Sequence, residues 1–173
     1  MKKIISVLAG FILMTSCAIA GEDMNMPAYQ GSAEFEQIKK LAGAWQGKTK
    51  MGEEEKVLEV QYQVTSNGSA VIERLMVGEP NEMVTVYYDK GDKLAMMHYC
   101  SLGNRPEMEL ISSSDKEMML SLMNDSPIDA AKETHMHALK IDWIDEDHIT
   151  QSWTLYQDGQ PAGEHVFELT RVK

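Results

Sequence analysis

The chain has 173 residues, room for one domain of ordinary size. Its 16 Lys and Arg against 27 Asp and Glu give a net charge of −11, which argues against nucleic acid as a partner, because a phosphate backbone is met by clustered cations. With 43% hydrophobic and 25% charged residues the chain buries a core instead of staying disordered, and its 14 methionines are the compositional anomaly.

Residues 1–20 read as a leader. Lys2 and Lys3 precede an apolar run, Ile4 to Met14, that is too short to span a bilayer as a helix but suits a signal peptide. Two processing routes fit. Ala18-Ile-Ala20 before Gly21 is a small-x-small cleavage pattern. Met14-Thr-Ser-Cys17 resembles a bacterial lipoprotein box, with Met14 where Leu is usual and Cys17 as the lipid-bearing residue. Both routes predict export to the bacterial periplasm or envelope, and a lipidated Cys17 would add a membrane tether. Without Lys2 and Lys3, 14 basic against 27 acidic residues give −13. Of the two cysteines, Cys17 is removed or acylated, so Cys100 is predicted to be an unpaired, buried small hydrophobe. Residues 21–31 are polar and irregular, a lead-in to a domain over 32–173.

Ser32 is a helix N-cap, and Phe35, Ile38 and Leu41 fall on one face of a helix of about three turns that ends at Gly43. Glu36 and Lys40 make an i,i+4 pair on it. The apolar period then changes from helical to two. Leu58, Val60, Tyr62 and Val64 alternate with polar residues, and Val71, Glu73, Leu75 and Val77 share one face of the next strand. Ten strands are predicted near 44–51, 56–66, 69–78, 83–89, 93–101, 107–113, 116–123, 135–144, 148–157 and 164–172. Turns at Asn67-Gly68, 89–92, 103–106, 145–147 and Asp158-Gly159 separate them, with a helical turn at 128–132 in the longest connection. No connection has room for a crossover helix, so neighbours are antiparallel. An all-β fold follows, a single ten-stranded antiparallel meander that closes into a barrel, with a two-sheet sandwich as the alternative.

Gly43-Ala-Trp45 at the start of the first strand and Arg171 at the end of the last resemble the lipocalin and fatty-acid-binding (calycin) pattern. There a Gly-x-Trp packs with a terminal basic residue, the guanidinium stacking on the indole. The segments Leu41-Ala-Gly-Ala-Trp-Gln-Gly47, Met83-Val-Thr-Val-Tyr87, His98-Tyr-Cys100 with Gly103-Asn104, His135-Met-His137 and Gln151–Gly159 are similar to uncharacterised bacterial lipocalin-like proteins. More distantly, the strand count is similar to that of nitrobindin-type haem barrels. The resemblance implies the barrel and structural roles for Trp45 and Arg171, and it brings no activity with it.

Alternation assigns directions. His135 and His137 share a face with Leu139, Ile141 and Trp143, so both are predicted to point inward, and His98 shares one with Leu94, Met96 and Cys100. Glu73 either joins the inward Val71/Leu75 face or, if the strand slips by one residue, meets water opposite Arg74. Gln151 and Trp153 share the Ile149/Leu155 face. A small, mostly apolar ligand in the lumen is the expected guest, contacted by Glu73, Tyr87, Met96, His98, Gln151 and Trp153, with Tyr99 as a further hydroxyl. The rival reading is a metal or haem barrel. Imidazoles two residues apart on a strand lie about 6 to 7 Å apart on one side. With His98 they would make a three-ligand set with an open position, suited to Zn or Cu. Haem would need an inward His with an open face, and His165, sharing its face with Phe167 and Leu169, is a further candidate. For the methionines the sharp reading is copper, through Met24-Asn-Met26, Met96-Met97-His98 and His135-Met136-His137. Alternation opposes it, because Met97 and Met136 would face away from their neighbouring histidines. The bland reading is a pliable apolar lining. No established catalytic motif is present, so an enzyme is not the expected reading.

Overall fold

The computed structural model describes residues 26–51 and 54–173. The leader, Cys17 and the start of the lead-in lie outside the described residues.

Helix α1 (Ala33–Lys39) forms because its N-terminus is satisfied from two directions. Ser32 Oγ accepts from the Phe35 N–H at 3.1 Å, and the Glu36 carboxylate accepts from the Gly31 N–H at 2.8 Å. Asp89 then fixes the cap to the sheet, accepting from both the Ser32 N–H and its hydroxyl at 2.8 Å. The helix has two turns, shorter than expected, and Glu36 pairs with Lys39 at 2.7 Å instead of with Lys40. Phe35, Ile38 and the following Leu41 are fully or nearly fully buried, so the helix plugs one end of the sheet.

The strands are β1 (Gly43–Met51), β2 (Glu54–Thr65), β3 (Ala70–Leu75), β4 (Met83–Lys90), β5 (Lys93–Tyr99), β6 (Glu107–Ser113), β7 (Glu117–Leu122), β8 (His135–Trp143), β9 (His148–Gln157) and β10 (Gln160–Arg171). Each pairs antiparallel with its neighbours in sequence, and β1 pairs with β10 to close the barrel. Closure removes the sheet edges that would otherwise expose unpaired backbone. The seam is short: Trp45–Lys48 face Glu168–Arg171. Gly47 sits opposite Leu169, and a Cβ there would lie 2.3 Å from a Leu169 methyl and 3.1 Å from the Glu168 carbonyl oxygen. This close approach needs glycine.

Several ends differ from the sequence expectation, each for a backbone reason. Asn67-Gly68 lies in a short 3-10 turn, Ser66–Gly68, with Asn67 at φ +52°. β3 stops at Leu75 because Met76 turns to φ +63°, opening a loop over 76–82. In the 124–134 connection the Asp129 carbonyl accepts from both Lys132 and Glu133, which makes one isolated turn. β10 begins early, at Gln160, with a register break between Pro161 and Gly163. The most consequential departure is a bulge in β8. Met136 pairs with Leu155 and Ala138 with Thr154, so His137 is an extra residue without a partner.

The barrel therefore has two unlike ends. The floor carries α1 and the ends of β1 and β10. Arg171 lies over the Trp45 ring, its guanidinium carbon 4.3 Å from the centroid. It also donates to the Ala42 and Lys40 carbonyls at 2.8 and 2.9 Å, and Trp45 Nε1 donates to the Leu41 carbonyl at 2.8 Å. These bonds satisfy carbonyls that the end of α1 leaves open. The mouth, at the far end, is ringed by the 76–82 and 100–106 loops, the 123–134 connection and the β9–β10 turn.

Candidate functional site

A polar layer crosses the middle of the barrel. Glu73 faces inward and is fully buried, which settles the alternative left by its strand. Its carboxyl accepts from Tyr62 at 3.0 Å, Tyr87 at 2.8 Å and Gln151 Nε2 at 2.6 Å, and Gln151 also contacts the Tyr62 hydroxyl. Gln151 uses its carbonyl oxygen to hold Trp153 Nε1 at 3.1 Å. Burial pushes the Glu73 carboxyl above the ordinary carboxylate value, against the pull of these donors and of Thr85. A buried carboxyl with this many partners is a satisfied network and seals the lumen.

His98 stands above this layer. Its Nδ1 lies 2.9 Å from Thr85 Oγ1, and its ring tilts against Trp153 with centroids 4.4 Å apart. Because β5 and β9 are not neighbours in the sheet, this contact spans the lumen. Burial pushes the imidazole down to about 4, so it is neutral at physiological pH. Among the described residues the one sealed side-chain polar atom without a partner is Asn104 Oδ1. His98 Nε2 also lacks a partner, so it is not sealed and opens on the space beside it.

That space is a cavity of about 220 Å³ at the mouth. Leu75, Met83, Trp153, Leu155 and Phe167 form its apolar wall, with Met76 and Leu102 from the loops. Thr49, Asn81, Ser101, His98 and His165 are its polar members, and among the described residues no Lys, Arg, Asp or Glu lines it.

The β8 bulge corrects the predicted directions of the other two histidines. Met136, expected to face outward, lies beside Leu155 and lines the cavity, while neither His135 nor His137 does. His135 is opposite Tyr156 and buried outside the lumen, its Nδ1–H donating to the Glu133 carbonyl at 2.7 Å. Its Nε2 lies 3.0 Å from His137 Nδ1. His137 stacks on Tyr156 at 3.8 Å, and burial and its neighbour His135 hold it below the ordinary imidazole value. The structure therefore does not bring His98 together with His135 and His137, and the three-imidazole zinc set does not form. His98 and His165 both reach the cavity, but 220 Å³ does not enclose a porphyrin.

Of the six residues expected to touch a ligand, His98 and Trp153 line the cavity. Glu73, Tyr87 and Gln151 lie behind it in the polar layer, and Met96 is packed in the core, all of them inward-facing. Tyr99 is exposed on the outer face. Cys100 is free and buried. Sequence reasoning missed Thr49, Met76, Met83, Ser101, Leu102 and Met136. Several of these belong to loops or to the bulge, where alternation carries no direction.

Fold and cavity together define a closed ten-stranded antiparallel barrel with a plugged floor and a small pocket at the mouth. The chain is similar to the crystal structure of Rv2717c from M. tuberculosis, with a TM-score of 0.51 and 20% identity over 83% of this chain and 100% of that one. At that identity the likeness is one of fold. No family model and no curated protein matches the chain.

Proposed function

We propose that this chain is an exported, lipocalin-like barrel that binds one small, mostly apolar, uncharged molecule in its mouth cavity. The observation that carries this reading is a largely apolar pocket lined by two imidazoles, with the unpartnered His98 Nε2 opening into it. The wall supplies affinity through burial, and the imidazole fixes orientation. At 220 Å³ the cavity is below the roughly 300–1,000 Å³ of drug-sized sites, so the guest is a single ring or a short chain. A carboxylate would meet a neutral imidazole and no cation. Export rests on the leader, Lys2-Lys3 with Ile4 to Met14, followed by cleavage after Ala20 or lipidation of Cys17.

The test uses p-cresol, toluene and benzoate as probes, followed by thermal unfolding and by the fluorescence of Trp153, which lines the pocket. p-Cresol should bind best, toluene more weakly and benzoate least. At a p-cresol concentration of 100 Kd the protein should gain about 2.7 kcal/mol. If none of the three shifts unfolding, and the protein from periplasm carries no small adduct in native mass spectrometry, this reading fails.

A further inference from the structure

The bulge that turns His135 and His137 out of the lumen turns a thioether in. Met136 joins Met76 and Met83 in the mouth cavity, where His98 and His165 already stand. The five side chains come from separate parts of the barrel: the end of β3, then β4, β5, β8 and β10. His165 is the cross-strand partner of Trp153, and the Trp153 ring meets the His98 ring at 4.4 Å. Met83 lies two residues from Thr85, the partner of His98, on the same inward face of β4. Met76 reaches the cavity because its backbone is held at φ +63°, uncommon for a residue other than glycine, and Asn81 Nδ2 lies 3.4 Å from its sulfur.

We propose that this cavity is a site for a soft monovalent metal ion, Cu(I) or its analogue Ag(I), held by thioethers of Met76, Met83 and Met136 together with imidazole nitrogens of His98 and His165. Thioether and imidazole donors select Cu(I), whereas Mg, Ca and Mn need carboxylates, of which this lining has none among the described residues. Thioethers carry no proton to lose on binding a metal. This site goes beyond the apolar-guest reading. The two occupants share one space, so each excludes the other, and their readouts are independent.

The experiment is an anaerobic titration of the full-length protein with Cu(I) against bathocuproine disulfonate, repeated with Ag(I) in native mass spectrometry. The expected result is one ion per chain. Replacing all three methionines (M76L, M83L and M136L) removes direct ligands while conserving volume. It should cost more than the roughly 10–100-fold typical of an outer-shell partner. Met24→Leu with Met26→Leu, in the lead-in, should leave affinity unchanged. Should the triple variant fail to fold, His165→Ala, at an exposed position, decides the matter by lowering affinity. The site is refuted if the protein cannot withdraw Cu(I) from the chelator or if the folded triple variant withdraws it as well as the native chain. Loss in the lead-in variant, or an unchanged His165→Ala where the triple variant does not fold, refutes it too.

Discussion

His98 shows how a single residue ties burial to chemistry. It is a neutral imidazole because water is excluded from it and no carboxylate replaces that water. The same burial makes His98 a pH-dependent element of stability. The folded state binds its proton less readily than the unfolded chain does, so its contribution is whole above pH 6.5 and drains as pH falls toward 4. A shift from 6.5 to about 4 corresponds to about 3 kcal/mol. Glu73 acts with the opposite sign. Its folded carboxyl holds a proton more readily than the unfolded one, so its contribution is present below pH 4.5 and declines as pH rises from there. Urea unfolding of the native chain and of His98→Gln at pH 7 and pH 4 isolates the first term. The variant should lose about 3 kcal/mol less than the native chain between the two pH values. Equal losses would mean that His98 is protonated inside the fold.

At the scale of elements, the barrel depends on how closely β1 can approach β10. Gly47→Ala places a methyl group against Leu169 and the Glu168 carbonyl, at the middle of a seam only four pairs long. Leu169 can turn aside, but the carbonyl is backbone, so overpacking of about 1–3 kcal/mol is expected in thermal or urea unfolding. Gly78→Ala is the comparison, at a loop position where a Cβ meets nothing within 4 Å but φ is +79°. Its cost is conformational and should be nearer 1 kcal/mol. This contrast also marks what the sequence discloses. Strand order, the antiparallel meander and closure are legible, because Leu58/Val60/Tyr62 and Ile149/Gln151/Trp153 alternate without interruption and every turn is too short for a crossover. The inward direction of Trp153 and His98 is legible for the same reason. The direction of His135-Met-His137 is not. Counting back from Leu139 and Ile141 assumes an unbroken period of two, and one bulged residue reverses every side chain beyond it. Nothing in the composition of 135–138 announces that residue. It appears only when β8 is laid against β9, where Leu155 needs a lumen-facing partner and takes Met136. Met76 and Leu102 escape for another reason: they sit in loops, whose side-chain directions follow backbone turns such as φ +63° at Met76.

For the whole molecule, stability and binding are expected to separate along the barrel axis. The floor carries the contacts that hold the ends of the chain together. Arg171, from the last strand, stacks on Trp45 of the first and bonds the carbonyls that follow α1. The mouth carries the cavity, and the fully paired Glu73 layer stands between them. Arg171→Ala removes a cation–π contact, hydrogen bonds to three backbone carbonyls and an ion pair with Asp147 from a side chain that is partly buried, for a cost of about 2–4 kcal/mol. In a chain of this length that lowers Tm by roughly 10 °C. Lysine does not rescue it, because an ammonium cannot stack on the indole and reach these carbonyls at once. His165→Ala at the mouth should leave Tm nearly unchanged, since that position is exposed. The discriminating measurement crosses the two. The affinity of the folded Arg171→Ala protein for p-cresol should equal that of the native chain, because the polar layer isolates the cavity from the floor. If Arg171→Ala weakens binding while the protein remains folded, the two ends are coupled, and the Glu73 layer transmits strain instead of sealing the lumen.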